Sequence, residues 1–107
     1  MEEPAYIVIL ITASNAEEAQ QISSVLLEKR KAACVNIIAS VDSHFWWEDK
    51  LDTTRESLLV VKTRASLLPE IIDLVKKTHS YTVPEIIALP IIGGNQDYLE
   101  WIEKSVS

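Results

Sequence analysis

Residues 5–13 are apolar almost throughout and largely β-branched, the pattern of a strand buried on both faces in the middle of a sheet. Ser14 then offers a helix N-cap, Glu17 three places on completes a capping box, and Ala19, Ile22, Val25 and Leu26 form one apolar stripe. A helix over residues 15–31 is predicted, its last turn gathering Lys29, Arg30 and Lys31 where the helix dipole favours cations. Over residues 33–47 the period becomes two. Val35, Ile37, Ala39, Val41 and Phe45 share one face and Asn36, Ser40, Asp42 and His44 the other, a long half-buried strand. Glu48, Asp49 and Lys50 form a polar turn, and residues 56–63, with Leu58, Leu59, Val60 and Val61, return as the second strand of a hairpin. Ser66 caps a second helix ending near His79, in which Leu67, Ile71, Leu74, Val75 and Thr78 keep helical spacing and Pro69 falls in the tolerant first turn. Pro84 breaks the chain before a last strand over 85–91, where Pro90 lacks a ladder donor and marks a sheet edge. Gly93, Gly94 and Asn95 then turn into a short helix bearing Tyr98, Leu99, Trp101 and Ile102.

With right-handed crossovers, this order gives an α+β fold: a ferredoxin-like split βαβ sandwich, βαββαβ with an added C-terminal helix. At 107 residues it is one domain spanning 1–107, and 48% apolar residues are enough for a core without staples. The hairpin is too long for that domain. A chain of this length packs into a ball roughly 34 Å across, whereas about fifteen extended residues reach nearly 50 Å. Either a bulge bends the ribbon back or it projects, leaving Phe45, Trp46, Trp47 and Leu51 in water at its tip. Those four residues are therefore expected to form an interface with another copy of the chain.

Charge narrows the partners. Ten Lys and Arg against sixteen Asp and Glu leave a net charge of −6, a surface that repels nucleic acid and anionic lipid. Neither a nucleic-acid nor a membrane partner is expected. The apolar run near the N-terminus is too short to span a bilayer, and Met1-Glu2-Glu3-Pro4 is acidic where a secretory signal is basic. Cys34 is the only cysteine, which excludes an internal disulfide, a Cys-x-x-Cys pair and a zinc knuckle from one chain, and fits a reducing cytoplasm. The glycines are Gly93 and Gly94 alone, so no P-loop or dinucleotide fingerprint exists.

Copper and zinc prefer thiolate and imidazole, and the inventory is Cys34, His44 and His79. No two stand at ligand spacing, so a metal site must assemble in space, with Glu85, Glu48 or Asp42 adding oxygen. Each residue also has a structural role open to it. Cys34 suits a small core position, His44 an interface hydrogen bond, and His79 a helix C-terminus where it caps carbonyls. A Cys34–His79 nucleophile and base pair is conceivable, although nothing in the spacing demands it. Lys62, Tyr81 and Glu85 are expected to share a polar pocket, or else a structural ion-pair cluster, near the end of the second helix. Glu17, Glu18, Glu100 and Glu103 read as solvated faces.

The blocks Ala32-Ala33-Cys34-Val35-Asn36-Ile37-Ile38, Trp47-Glu48-Asp49-Lys50, Lys62-Thr63, His79-Ser80-Tyr81-Thr82-Val83-Pro84-Glu85 and Tyr98-Leu99 with Trp101 run in order across nearly the whole chain. In these the sequence resembles the CutA divalent-cation tolerance proteins. The resemblance implies a homotrimer with PII-like architecture and a link to copper and other divalent cations, with no reaction attached; no cofactor is expected to be required, a divalent cation such as copper or zinc being the candidate. Copper-associated members carry a cysteine on the first strand and a histidine pair before the Tyr-x-x-Pro-Glu block. Here those positions hold Ile11 and Thr78-His79, so only His79 carries over, and the expected metal donors are His79, Cys34 and Glu85. Many members also have glycine at the position of Asp49, which must then tolerate a left-handed turn. The resulting expectation is a cytoplasmic homotrimer that binds divalent metal without turnover. The alternative is a PII-like signalling or scaffold module that senses a small ligand or partner between subunits, and a Cys34–His79 activity comes third.

Overall fold

The computed structural model describes residues 4–107; Met1, Glu2 and Glu3, which give the N-terminus its acidic start, lie outside the described residues. The elements are β1 (Tyr6–Ala13), α1 (Ala16–Glu28), β2 (Cys34–Trp47), β3 (Lys50–Arg64), a 3-10 turn (Ala65–Leu67), α2 (Leu68–Thr78), β4 (Ile86–Pro90) and α3 (Gln96–Ser105). The four strands form one sheet in the order β2-β3-β1-β4, every neighbouring pair antiparallel. This is the ferredoxin-like arrangement, with β1 central and β4, carrying Pro90, at an edge where a missing donor breaks no ladder.

Burial alternates strictly along β1. Ile7, Ile9, Ile11 and Ala13 point into the core with Leu59 and Val61 of β3, against Ile22 and Leu26 of α1 and Ile71 and Val75 of α2. Burial on both faces, expected from the apolar run, is met on one face only. Val8, Leu10, Leu58 and Val60 share the other face with Ile38, Ile87 and Leu89, and these last three are exposed in a single chain. Ile102 of α3 is fully buried outside the main core cluster.

The helix starts differ from the sequence reading by one step. Asn15, not Ser14, caps α1: its Oδ1 accepts from the Glu18 amide at 2.8 Å. Glu18 completes the box, since its Oε1 accepts from the Ser14 amide at 3.0 Å. The helix stops at Glu28, so Lys29, Arg30 and Lys31 lie beyond it, and Arg30 takes a left-handed conformation at φ 60° that reverses the chain. The Arg30 carbonyl accepts from the Ser107 amide and the Lys31 ammonium donates to the Ser107 carbonyl, pinning the C-terminus beside this turn. Ser66 does not cap α2. It falls inside the 3-10 turn, and α2 begins at Leu68 with Pro69 in its first turn.

The hairpin both bends and projects. Between Ile38 and Val41, β2 carries one more residue than its partner β3, a bulge whose freed Ala39 carbonyl is taken by the Ser57 hydroxyl at 2.7 Å. The extra residue reverses the strand's phase. Val35 and Ile37 pair with the core residues Val61 and Leu59, whereas Val41 and Phe45 pair with Glu56 and Asp52, on the face opposite to that of Val35 and Ile37. A single period of two across residues 33–47 is thereby corrected. Beyond Ser57, the last partner of β1, the ribbon runs on unsupported to a two-residue turn with Glu48 at φ 49° and Asp49 at φ 63°. The radius of gyration of 14.4 Å and extents of 43 × 31 × 22 Å reflect this extension.

Candidate functional site

The bulge and the projecting ribbon create a cleft. Register puts Ser43, Phe45 and Trp47 on the same side as Glu56, Thr54 and Asp52, and the chain leaving α2 crosses the base of that side through Ser80–Glu85 before entering β4. The space between has a volume of about 750 Å³. Phe45 and Trp47 form one wall, Tyr81, Thr82, Val83 and Glu85 another, with Thr12 and Glu56 also facing the space.

The second wall is held by a buried polar knot. His79 ends α2, and its side chain is completely buried. Its Nε2 lies 2.6 Å from the Thr12 carbonyl, and its Nδ1 accepts from the Tyr81 amide at 3.0 Å. A nitrogen that accepts an N–H is unprotonated, so the ring is neutral with its proton on Nε2, donated to Thr12. Glu18, from α1, lies beside it: Oε1 is 3.4 Å from Nδ1 and Oε2 accepts from the Ser80 amide at 2.9 Å. Burial pushes the Glu18 carboxyl up, but the Ser14 and Ser80 donors outweigh it and hold the group below its ordinary value. Tyr81 tilts against the imidazole at 4.7 Å between centroids and donates its hydroxyl to Glu56 Oε2 at 2.9 Å. Burial first, then the bond to Glu56 and that carboxylate's charge, push the phenol up to about 12.

Cys34 stands elsewhere. It pairs with Lys62 across β2 and β3, whose Nζ lies 3.9 Å from Sγ and also contacts Asn36 Oδ1. The Tyr98 hydroxyl of α3 is nearby, its ionisation pushed up by burial and then by Cys34. Lys62 and Thr12 belong to rows four positions apart along β3, about 13 Å at ~3.3 Å per residue. Three sequence expectations change accordingly. Lys62 does not share a pocket with Tyr81: strand register sends it to the Cys34 cluster. Cys34 and His79 do not form a nucleophile and base pair. The donors His79, Cys34 and Glu85 do not converge, and both ring nitrogens of His79 are engaged.

A divalent metal therefore finds no set of donors among the described residues of one copy. Among the described residues no group of three or more His, Cys, Asp and Glu side chains could hold an ion. Ile11, where the resemblance led one to expect a cysteine, lies in the core, and the Thr78 hydroxyl donates to the Leu74 carbonyl. Asp42 pairs with Arg55 at 3.2 Å, and Glu48 sits in the turn. Glu85 reaches the cleft as an exposed side chain; His44 borders it, but pairing with Thr53 turns its side chain to the ribbon face away from Phe45 and Glu56.

The ribbon tip matches its expectation of exposure. Trp46 is 69%, Trp47 55% and Leu51 69% exposed, with Trp46 and Leu51 paired on the face away from the cleft. Phe45 is half-buried against the cleft itself. Sequence reading passed over Glu18 and Glu56. Glu18 is not a solvated face: its place three residues after Asn15 is the capping-box signal that marks it. Nothing local to Glu56 announces its burial, which arises from Tyr81 arriving from a distant segment.

A family model described as "CutA1 divalent ion tolerance protein" matches residues 7–105. The chain is 48% identical over 98 residues to a divalent-cation tolerance protein CutA of Archaeoglobus fulgidus, covering 92% of this chain and 95% of that one. It is 46% identical over 99 residues to the chloroplastic protein CutA 1 of rice, covering 92% of this chain but 56% of the relative. An Arabidopsis chloroplastic relative is spanned to 54%, so this chain corresponds to a little over half of the two plant proteins. Among solved structures, CutA1 from Oryza sativa superimposes with a TM-score of 0.94 at 44% identity, covering 97% of this chain and 95% of that one. A periplasmic divalent cation tolerance protein CutA from Archaeoglobus fulgidus does so at 0.93 and 46%, covering 95% and 99%.

Proposed function

The chain belongs to the CutA1 divalent ion tolerance protein family, and from that premise we propose that it acts as a homotrimer contributing to divalent-cation tolerance without turnover. Copper- or zinc-like cations are its cargo, held modestly where clefts close between copies. The observation that carries this reading is the projecting ribbon. Trp46 and Leu51 on one face of the ribbon and Trp47 on the other stand in water, and the sheet face on the Trp47 side bears exposed Ile38, Ile87 and Leu89, apolar surface that another copy would cover. Among the described residues one copy assembles no ion site, so a cation needs donors from a second copy beside Asp52 and Glu85 of the first. A single free cysteine and no disulfide fit work in the cytoplasm; the names of relatives place theirs in the chloroplast and periplasm.

Calorimetric titration of the assembled protein with copper and zinc salts tests the reading. Saturable binding that weakens at least tenfold in an Asp52→Asn, Glu85→Gln double variant is the expected result; absence of saturable heat from either metal overturns it. A second reading is favoured by the cleft's size. About 750 Å³ is far more than an ion occupies and lies within the range of small-molecule sites, which suits a module that senses a small ligand there.

A further inference from the structure

Resting on that second reading, we infer that the cleft is built for an organic cation: an ammonium head, received by Glu56, on a small apolar body held between aromatic rings. Glu56 is only 7% exposed, yet it lines the cleft. Its one hydrogen bond among the described residues comes from the phenol of Tyr81, which donates to Oε2. The ion pairs among the described residues are Lys31–Glu70, Arg55–Asp42 and Arg64–Glu103, none of which serves Glu56. Arg55, adjacent in sequence, is turned to the opposite face of the ribbon. The Tyr81 phenol answers one of its oxygens; the other has no protein partner among the described residues and is open at the cleft, where a cationic donor can meet it.

The rest of the lining has the same preference. Asp52 and Glu85 add negative charge, and no lysine or arginine faces the space. An anionic ligand would meet repulsion from Asp52, Glu56 and Glu85. Phe45, Trp47 and Tyr81 supply ring faces, which attract ammonium groups and cover apolar bodies. The hydroxyls of Thr12, Ser43, Thr54 and Ser80 supply acceptors for the remaining ammonium protons. A bare metal ion would leave both the volume and the rings unused.

The test uses the assembled wild-type protein and three probes of one shape and different charge: benzylamine hydrochloride, benzyl alcohol and sodium benzoate. Affinity is read by calorimetry at pH 7, and location by chemical-shift changes at the Tyr81 and Thr82 amides. Benzylamine is expected to saturate the cleft at least tenfold more tightly than benzyl alcohol, and benzoate to bind not at all. Glu56→Gln, which keeps an acceptor for Tyr81, should erase the preference for amine over alcohol; the exposed Glu85→Gln should weaken the amine about threefold and covers the case in which the Glu56 variant fails to fold. Equal binding of amine and alcohol, or amine affinity unchanged in both variants, overturns the inference while leaving a small-ligand cleft in place. If none of the three probes moves the Tyr81 and Thr82 amides, the small-ligand reading falls with it.

Discussion

Replacing Glu18 by Gln should loosen the cleft wall and lower stability in a pH-dependent way. Glu18 joins three segments: Oε1 holds the Ser14 amide at the start of α1, Oε2 holds the Ser80 amide after α2, and His79 lies 3.4 Å away. Glutamine keeps the shape but offers one acceptor oxygen, so one of the two amides faces an NH₂ group and the charge is lost. Hydrogen bonds to a charged group contribute about 1.5–3 kcal/mol, and losing one should lower the melting temperature by roughly 6–20 °C at matched protein concentration. Because the Glu18 carboxyl is held below its ordinary 4.5, the folded protein resists protonation there more than the unfolded chain does. Its contribution is therefore complete above pH 4.5 and is lost as pH falls through the folded value. Thermal melts of wild type and variant at steps from pH 7 downward should show a gap that is constant to about pH 5 and then narrows. Amide exchange at Ser80 and Tyr81 should quicken in the variant at pH 7. A gap of under about 0.5 kcal/mol, or one that does not change with pH, would refute the knot as the support of the wall.

Further outcomes follow from the same geometry. Tyr81→Phe should cost about 0.5–1.5 kcal/mol and remove, from an alkaline absorbance titration, a phenol that ionises only near pH 12. Glu48→Asn with Asp49→Gly should raise stability by about 1 kcal/mol in thermal melts, since both turn residues occupy the left-handed region that Asn-Gly adopts most readily. Leu59→Ala, at a fully buried position between β1 and β2, should lose about 2–5 kcal/mol in denaturant unfolding.

Much of the fold was legible because its signals are local. The strict apolar run of β1, the stripe of α1 and Pro69 in the first turn of α2 each reflect a periodicity or a steric rule that acts within a few residues. The bulge was not legible: Ile38, Ala39, Ser40 and Val41 read as continuous strand, and only pairing with β3 reveals the extra residue that turns Phe45 toward the cleft. The cap moved from Ser14 to Asn15 because both are good caps and the choice rests on Glu18, whose second oxygen is claimed by Ser80, distant in sequence. For the site, Tyr81 and Glu85 were found from the motif around Pro84, and the exposed ribbon from chain length against domain size. Lys62 was misplaced because its neighbour is set by strand register, and His79 looked available until both of its nitrogens were found engaged.

Trimer formation through the ribbon is the claim on which the functional reading depends most, and sedimentation equilibrium at micromolar concentration addresses it directly. Wild type should sediment as a single species of three times the 12.0 kDa chain mass, and a Trp46→Ser, Leu51→Ser variant should dissociate. A wild-type protein that remains a stable 12.0 kDa monomer across that range would contradict the account.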